Sequence, residues 1–124
     1  MMKKLTALLT ALFLLLSATA LAEEVIHIGI IQFAEHGSLD NCRIGFIEGL
    51  AEEGFVEGEN VVFDIQNAQA DTAISAQIAD VMAGKYDMIC AIATPAAMAA
   101  FNAAEDAGIP VIYTAVSDPV SAML

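Results

Sequence analysis

Positive charge is scarce in this sequence: four lysines and arginines stand against 16 aspartates and glutamates in 124 residues, a formal net charge of −12. Nucleic-acid binding by counterion release needs a basic stripe, and Lys3, Lys4, Arg43 and Lys85 do not build one. An anionic membrane face and a polyphosphate ligand are disfavoured on the same ground, while a small zwitterion held by local groups stays compatible with it. Cysteine is equally sparse. Cys42 falls in a helical pattern and Cys90 in an apolar strand pattern, so both read as small core residues, with a disulfide as the alternative. With two histidines at unrelated spacings they make no zinc pattern. Long hydrophobic runs are limited to one, Leu5 to Leu16, short of the ~20 residues a bilayer crossing needs.

That run belongs to residues 1–22, where Lys3 and Lys4 precede it and Ala20-Leu21-Ala22 follows, the three-part layout of a secretory signal peptide. Cleavage after Ala22 makes the product periplasmic or otherwise exported, and no cysteine stands at the cleavage site to carry a lipid. A retained anchor is the alternative. Fold reasoning therefore applies to residues 23–124.

There, β-rich runs alternate with helical stretches closed by glycines. Val25 to Phe33 is a nearly continuous apolar run, as expected of a strand covered on both faces. Ser38 is expected to cap a helix from Leu39 to Glu53, with Leu39, Cys42, Phe46 and Leu50 on one stripe and Gly54 as a left-handed stop. Val61 to Asn67 alternates as a second strand. Asp71 caps a second helix with Ile74, Ile78 and Val81 on its apolar face, ended by Gly84. Asp87 to Ala93 is the third strand. Thr94-Pro95 opens a third helix with Thr94 as N-cap and Pro95 as first helical residue, running through Ala97, Phe101 and Ala104 to Gly108. Val111 to Val116 is the fourth strand. These intervals suit right-handed strand, helix, strand crossovers, so the fold class is α/β, a doubly wound parallel sheet. Because a further element begins at Val120 to Leu124, the domain reads as truncated; a complete small domain pairing its fourth strand with another copy is the alternative.

In open parallel sheets ligands sit beyond the carboxyl ends of the strands, where strand order reverses. Four segments qualify: Phe33 to Ser38, Asn67 to Asp71, Thr94 to Ala97 and Thr114 to Asp118. If the first and third strands are neighbours, the first and third segments flank one crevice. A helix start at Thr94-Pro95-Ala96 offers free N–H groups and about half a positive charge to a carboxylate. An amine would then be met by Glu35, Asp40 or Asp118. The alternatives are equally physical: a plain helix start, solvated loop acids, and core aromatics at Phe33, Phe101 and Tyr113. Several chemistries lack their residues. No Gly-x-Ser-x-Gly elbow accompanies His36, Ser38 and Asp40, Gly49 to Phe55 has no phosphate-loop lysine, no Gly-x-Gly-x-x-Gly follows the first strand, and the third strand ends without a phospho-acceptor acid.

Together, IGIIQFAEHGSLDNCRIGFIEGL, EEGFVEGENVVFDIQNAQAD, ICAIATPAA and IYTAVSDPV resemble the amino-terminal lobe of ABC-transporter substrate-binding proteins, of the type that includes tryptophan and tyrosine binders. The resemblance covers almost all of residues 25–120. It implies a Rossmann-like lobe of a type I periplasmic binding fold, here without its second lobe, so that 23–124 is an incomplete solute-binding domain. It implies a non-enzymatic protein without cofactor or metal that captures a small solute, an aromatic amino acid among the candidates, and delivers it to an ABC permease. The ligand-facing positions it implies are Phe33, Glu35, His36, Thr94, Pro95, Ala96, Thr114, Ala115, Val116 and Asp118. Gly37 departs from the family, where a proline is common. The ligand-reading lobe of an exported sensor is the rival reading, and a small hydrolase the third.

Overall fold

The computed structural model describes residues 2–4 and 23–124. Most of the expected signal peptide, residues 5–22, lies outside the described residues. Strands β1 (Ile26–Gln32), β2 (Val61–Asn67), β3 (Met88–Ile92) and β4 (Val111–Thr114) alternate with helices α1 (Gly37–Glu52), α2 (Thr72–Ala83) and α3 (Thr94–Ala107). The strands form one sheet in the order β2-β1-β3-β4, parallel throughout. The doubly wound reading holds, and β1 is the strand at which the order reverses. It pairs with β2 from Ile26↔Val61 to Gln32↔Asn67 and with β3 from Ile28↔Met88 to Gln32↔Ile92. Hydrogen-bonded on both sides and covered on both faces, β1 is buried from Ile28 to Gln32, which is why its sequence is a run and not an alternation.

On one face, α1 lays Leu39, Cys42, Phe46, Ile47 and Leu50 over Ile28, Ile30, Val61, Phe63, Cys90 and Ile92. Phe46 meets Phe63 edge-on, with ring centroids 6.5 Å apart. Cys42 and Cys90 share this layer and both are free thiols. The expected stop at Gly54 is also present. Gly54 takes φ 95°, its N–H bonds the Ala51 carbonyl at 3.1 Å, and the Phe55 N–H reaches back to the Leu50 carbonyl at 2.8 Å, a Schellman closure.

On the other face, α2 and α3 pack against Ile31, Ile89 and Ala91 through small residues: Ala79 and Ala83 from α2, Ala96, Ala97 and Ala100 from α3, with Met82 as the one fully buried long chain and Ile78 partly buried beside it. Gly29 makes the close approach possible. A Cβ there would lie 2.5 Å from Met82 Sδ.

Several expectations need correction. The N-cap of α1 is His36, whose Nδ1 accepts the Ser38 N–H at 3.2 Å, and Ser38 lies inside the helix. The buried stripe of α2 is Ser75, Ala79, Met82 and Ala83, while Val81 is 65% exposed; alanines let this helix rotate its smallest side chains onto the sheet. Likewise α3 buries Ala96, Ala97, Ala100 and Ala104 and leaves Phe101 at the surface. The first, third and fourth strands are each shorter than expected, ending at Gln32, Ile92 and Thr114. Asp71 caps α2 as expected, accepting the N–H groups of Ala73 and Ile74 at 2.7 and 3.1 Å.

Candidate functional site

The carboxyl ends of the strands form one rim, and backbone hydrogen bonds stitch its loops together. Phe33 N–H donates to the Ile92 carbonyl at 3.2 Å, Ala93 N–H to the Thr114 carbonyl at 3.0 Å, and Ala70 N–H to the Phe33 carbonyl at 2.8 Å. The turn after β1 is therefore seated directly against the start of α3, as adjacency of the first and third strands requires. The segments after β2, β1, β3 and β4 follow in that spatial order along the rim.

This rim is also where backbone strain is concentrated. Among the described residues, Gln69 (φ 54°), Ala70 (φ 60°), Ala93 (φ 84°), Ala115 (φ 57°) and Met123 (φ 57°) are the non-glycine residues with positive φ. All but Met123 fall in loops that leave β2, β3 or β4 at this edge. Such conformations cost on the order of 1 kcal/mol or more each and persist where surrounding contacts impose them, which occurs chiefly at binding sites.

Ala93 decides how α3 begins. At φ 84°, ψ 155° it is the N-cap, with no side-chain capping bond, so Thr94 is the first helical residue and Pro95 the second. Expecting Thr94 as N-cap and Pro95 as first residue was off by one: a reversed backbone, not a hydroxyl, makes the turn. The Thr94 hydroxyl is consequently not engaged in capping. Pro95 has no N–H and Ala97 N–H already bonds the Ala93 carbonyl at 3.0 Å. The first-turn N–H groups without an intrahelical acceptor are therefore those of Thr94 and Ala96. Thr94 and Pro95 are half-buried and Ala96 is buried.

The remaining expected residues divide. Phe33 is half-buried and packs on the α2/α3 side of the core, as does Val116. Glu35 is exposed on the turn. His36 is exposed and committed to capping α1. Thr114 is half-buried at the end of β4, and Ala115 is exposed beside it. Asp118 is exposed; the Ser121 hydroxyl and N–H donate to its carboxylate at 2.6 and 3.0 Å, which hold its pKa below the usual aspartate value. Asp40 is drawn away from any ligand amine: its Oδ1 accepts Gln32 Nε2 at 2.8 Å and lies 3.7 Å from the Arg43 guanidinium.

Gln32 and Arg43 were not anticipated. Gln32 is buried, donates from Nε2 to the Ala34 carbonyl at 2.8 Å as well as to Asp40, and accepts Arg43 Nε at 3.0 Å. This network ties the turn after β1 to the first turns of α1 and so sets where Phe33 and Glu35 stand. The signal was in the sequence: a lone glutamine closing an apolar run.

Among the described residues, three cavities differ in what they offer. One of about 280 Å³ opens on the rim, lined by Glu35, Asn67 and Gln69. A larger one of about 340 Å³ lies on the flank of the sheet between β2 and α2, lined by Asp64, Gln66, Gln77, Ile78, Val81 and Met82. A third, about 310 Å³, lies at the opposite end of α3. Only the first adjoins the strand ends, where a parallel sheet presents its loops. Among the described residues no cluster of His, Cys, Asp or Glu could hold a metal ion, and no helix is long and apolar enough to cross a membrane.

Comparison with known proteins agrees with the fold. The model of the family described as ABC transporter substrate binding protein matches residues 27–124. A tyrosine-binding protein of Clostridioides difficile is 48% identical over 99 residues, which is 79% of this chain and 28% of that protein. The ligand-free, open structure of a substrate binding protein with adhesive properties from Clostridium difficile superposes with a TM-score of 0.75 at 52% identity, covering 79% of this chain and 33% of that one. An ABC domain from Streptococcus pneumonia in complex with L-Trp gives a TM-score of 0.75 at 37% identity, covering 82% of this chain and 34% of that one. The chain thus spans about a third or less of the length of these relatives.

Proposed function

The chain belongs to the ABC transporter substrate binding protein family, and from that premise we propose that it forms one side of a site that captures an aromatic amino acid outside the cytoplasm for delivery to an ABC permease. The observation that carries this reading is the seating of the Phe33 turn against the start of α3, through Phe33 N–H and the Ile92 carbonyl. It brings Phe33 to the strand end that leads into α3, whose first turn has two N–H groups without an intrahelical acceptor; a carboxylate held there needs no cation, which suits a chain so poor in lysine and arginine.

The α-carboxylate would accept from the N–H groups of Thr94 and Ala96 and from the Thr94 hydroxyl, aided by the positive end of α3. The α-ammonium would lie toward β4, facing Asp118, whose pKa the hydrogen bonds from Ser121 lower. Phe33 would meet the side chain. Nothing in this assignment moves electrons or protons; the site orients and holds. The bound L-Trp of the solved relative and the name of the tyrosine-binding relative support the ligand class.

Calorimetric titration with L-tyrosine, L-tryptophan and a basic amino acid tests it. Aromatic amino acids are expected to bind and the basic one not. Thr94→Val is expected to weaken binding by about 1–3 kcal/mol, the loss of a hydrogen bond to a charged group. An unchanged Kd removes Thr94 from the site.

A further inference from the structure

We propose that the rim cavity lined by Glu35, Asn67 and Gln69 is a specificity pocket that reads a polar hydrogen at the far end of the ligand's ring, a phenol O–H or an indole N–H. This rests on the functional reading above and extends it to side-chain selection.

The placement follows from the strand order. Asn67 ends β2 and Gln69 follows it, Glu35 follows β1, and the carboxylate-binding start of α3 follows β3. Neighbouring strands stand about 4.8 Å apart, so the β2 end of the rim is roughly 10 Å from the β3 end. An α-carboxylate seated at Thr94 and Ala96 leaves the α-ammonium too close to reach the cavity. The far edge of an aromatic side chain, carried over Phe33 on the intervening turn, spans that distance.

The chemistry of the lining is selective. Asn67 Oδ1 accepts the Gln69 N–H at 2.7 Å, which leaves its NH2 as the group it offers to a ligand. Glu35 supplies a carboxylate acceptor, and the Gln69 amide supplies both a donor and an acceptor. A hydroxyl can therefore donate to Glu35 and accept from an amide, and an indole N–H can donate to Glu35. A bare phenyl edge satisfies neither and would strip water from three polar side chains without replacing it. The wall is held in place from behind, because Ala68 and Ala70 N–H bond the Gln32 and Phe33 carbonyls at 2.9 and 2.8 Å. At about 280 Å³ the cavity has room for the edge of a ring together with water.

The test is titration of the 15N-labelled chain with L-tyrosine, L-tryptophan and L-phenylalanine, following the amides of Ala96 and Ala97 for the carboxylate and those of Gln69 and Ala70 for the pocket. Tyrosine and tryptophan are expected to shift both sets and phenylalanine only the first, with an affinity for phenylalanine about tenfold or more below that for tyrosine. In Glu35→Ala, a change at an exposed position, the ratio of the two dissociation constants is expected to fall toward one. If phenylalanine shifts Gln69 and Ala70 as tyrosine does, or if the ratio is the same in Glu35→Ala, the pocket is refuted while the binding function stands. If no aromatic amino acid shifts Ala96 or Ala97, the function proposed above falls, and the pocket with it.

Discussion

Replacing Ala93 with glycine should stabilise the fold or leave it level, against the ordinary direction of that exchange. Ala93 holds φ 84°, ψ 155°, a region that side chains with a Cβ rarely enter and that carries about 1–3 kcal/mol of strain. Two effects oppose the relief. Glycine adds freedom to the unfolded chain, worth about 0.4–1 kcal/mol, and a half-buried methyl is lost, worth about 0.4 kcal/mol. The balance is roughly 0–2 kcal/mol in favour of Ala93→Gly. Ala76 supplies the control: it is exposed in the middle of α2, where the same exchange costs about 1 kcal/mol. Urea denaturation with unchanged m-values reads both. The Ala93→Gly midpoint is expected at or above that of the parent chain and the Ala76→Gly midpoint below it. Equal losses at the two positions would refute the claim that the start of α3 is held under strain.

Tyr86 donates from its hydroxyl to Asp64 Oδ2 at 2.5 Å, and Tyr86→Phe is expected to cost about 1 kcal/mol, the low end for a charged acceptor because the pair is partly solvated. That bond first, then one from Gln66, holds Asp64 below its ordinary 3.8, and the same bond raises Tyr86 above 10.0. Stability from Asp64 is therefore present above pH 3.8 and lost as pH falls through its lowered pKa; that from Tyr86 is present below pH 10.0 and lost as pH rises through its raised one. Thermal melts across pH should show both flanks flattened in Tyr86→Phe, and flanks like those of the parent would contradict the pairing. Gly29→Ala should lose about 1–3 kcal/mol in urea, because the added Cβ meets Met82 Sδ at 2.5 Å and Cγ at 3.0 Å and that side chain is fully buried. Burial pushes the Cys90 thiol up to about 12, with Cys42 nearby as a lesser cause. A thiol reagent at pH 8 should modify half-buried Cys42 first and Cys90 only on unfolding, read by mass spectrometry; rapid double labelling of folded protein counts against it.

Much of the architecture was legible because it depends on spacing and burial, which composition records directly. Val61–Asn67 matched its strand residue for residue, and the crossover lengths pointed to parallel strands; that β1 and β3 adjoin was a condition on the crevice, which the strand order meets. What escaped depends on backbone angles. A hydroxyl in Ser38 or Thr94 looks like a cap from its chemistry alone, but His36 in extended conformation and Ala93 at positive φ occupy those positions. Alanines misled the helix faces for a different reason. In α2 the bulkier Val81 marks an apolar stripe on paper, while the face that packs on the sheet carries Ala79, Ala83 and Met82, the last seated over Gly29. Of the candidate site, the Phe33 turn and the start of α3 do come together. The Gln32, Asp40 and Arg43 network was passed over, although its partners lie within 11 residues of one another, because a polar residue in a strand is usually read as surface.

The alanine layer between α3 and the sheet acts as a spacer of minimum thickness. Ala96, Ala97 and Ala100 have no accessible surface and no side chain that could rotate aside. Any enlargement there must lift the helix bodily, and the N–H groups of Thr94 and Ala96 travel with it. On the binding role proposed above, recognition at the rim can thus be retuned from inside the protein, through Ala97 and Ala100, whose side chains are fully buried, and drift at those two alanines should change which metabolites are held.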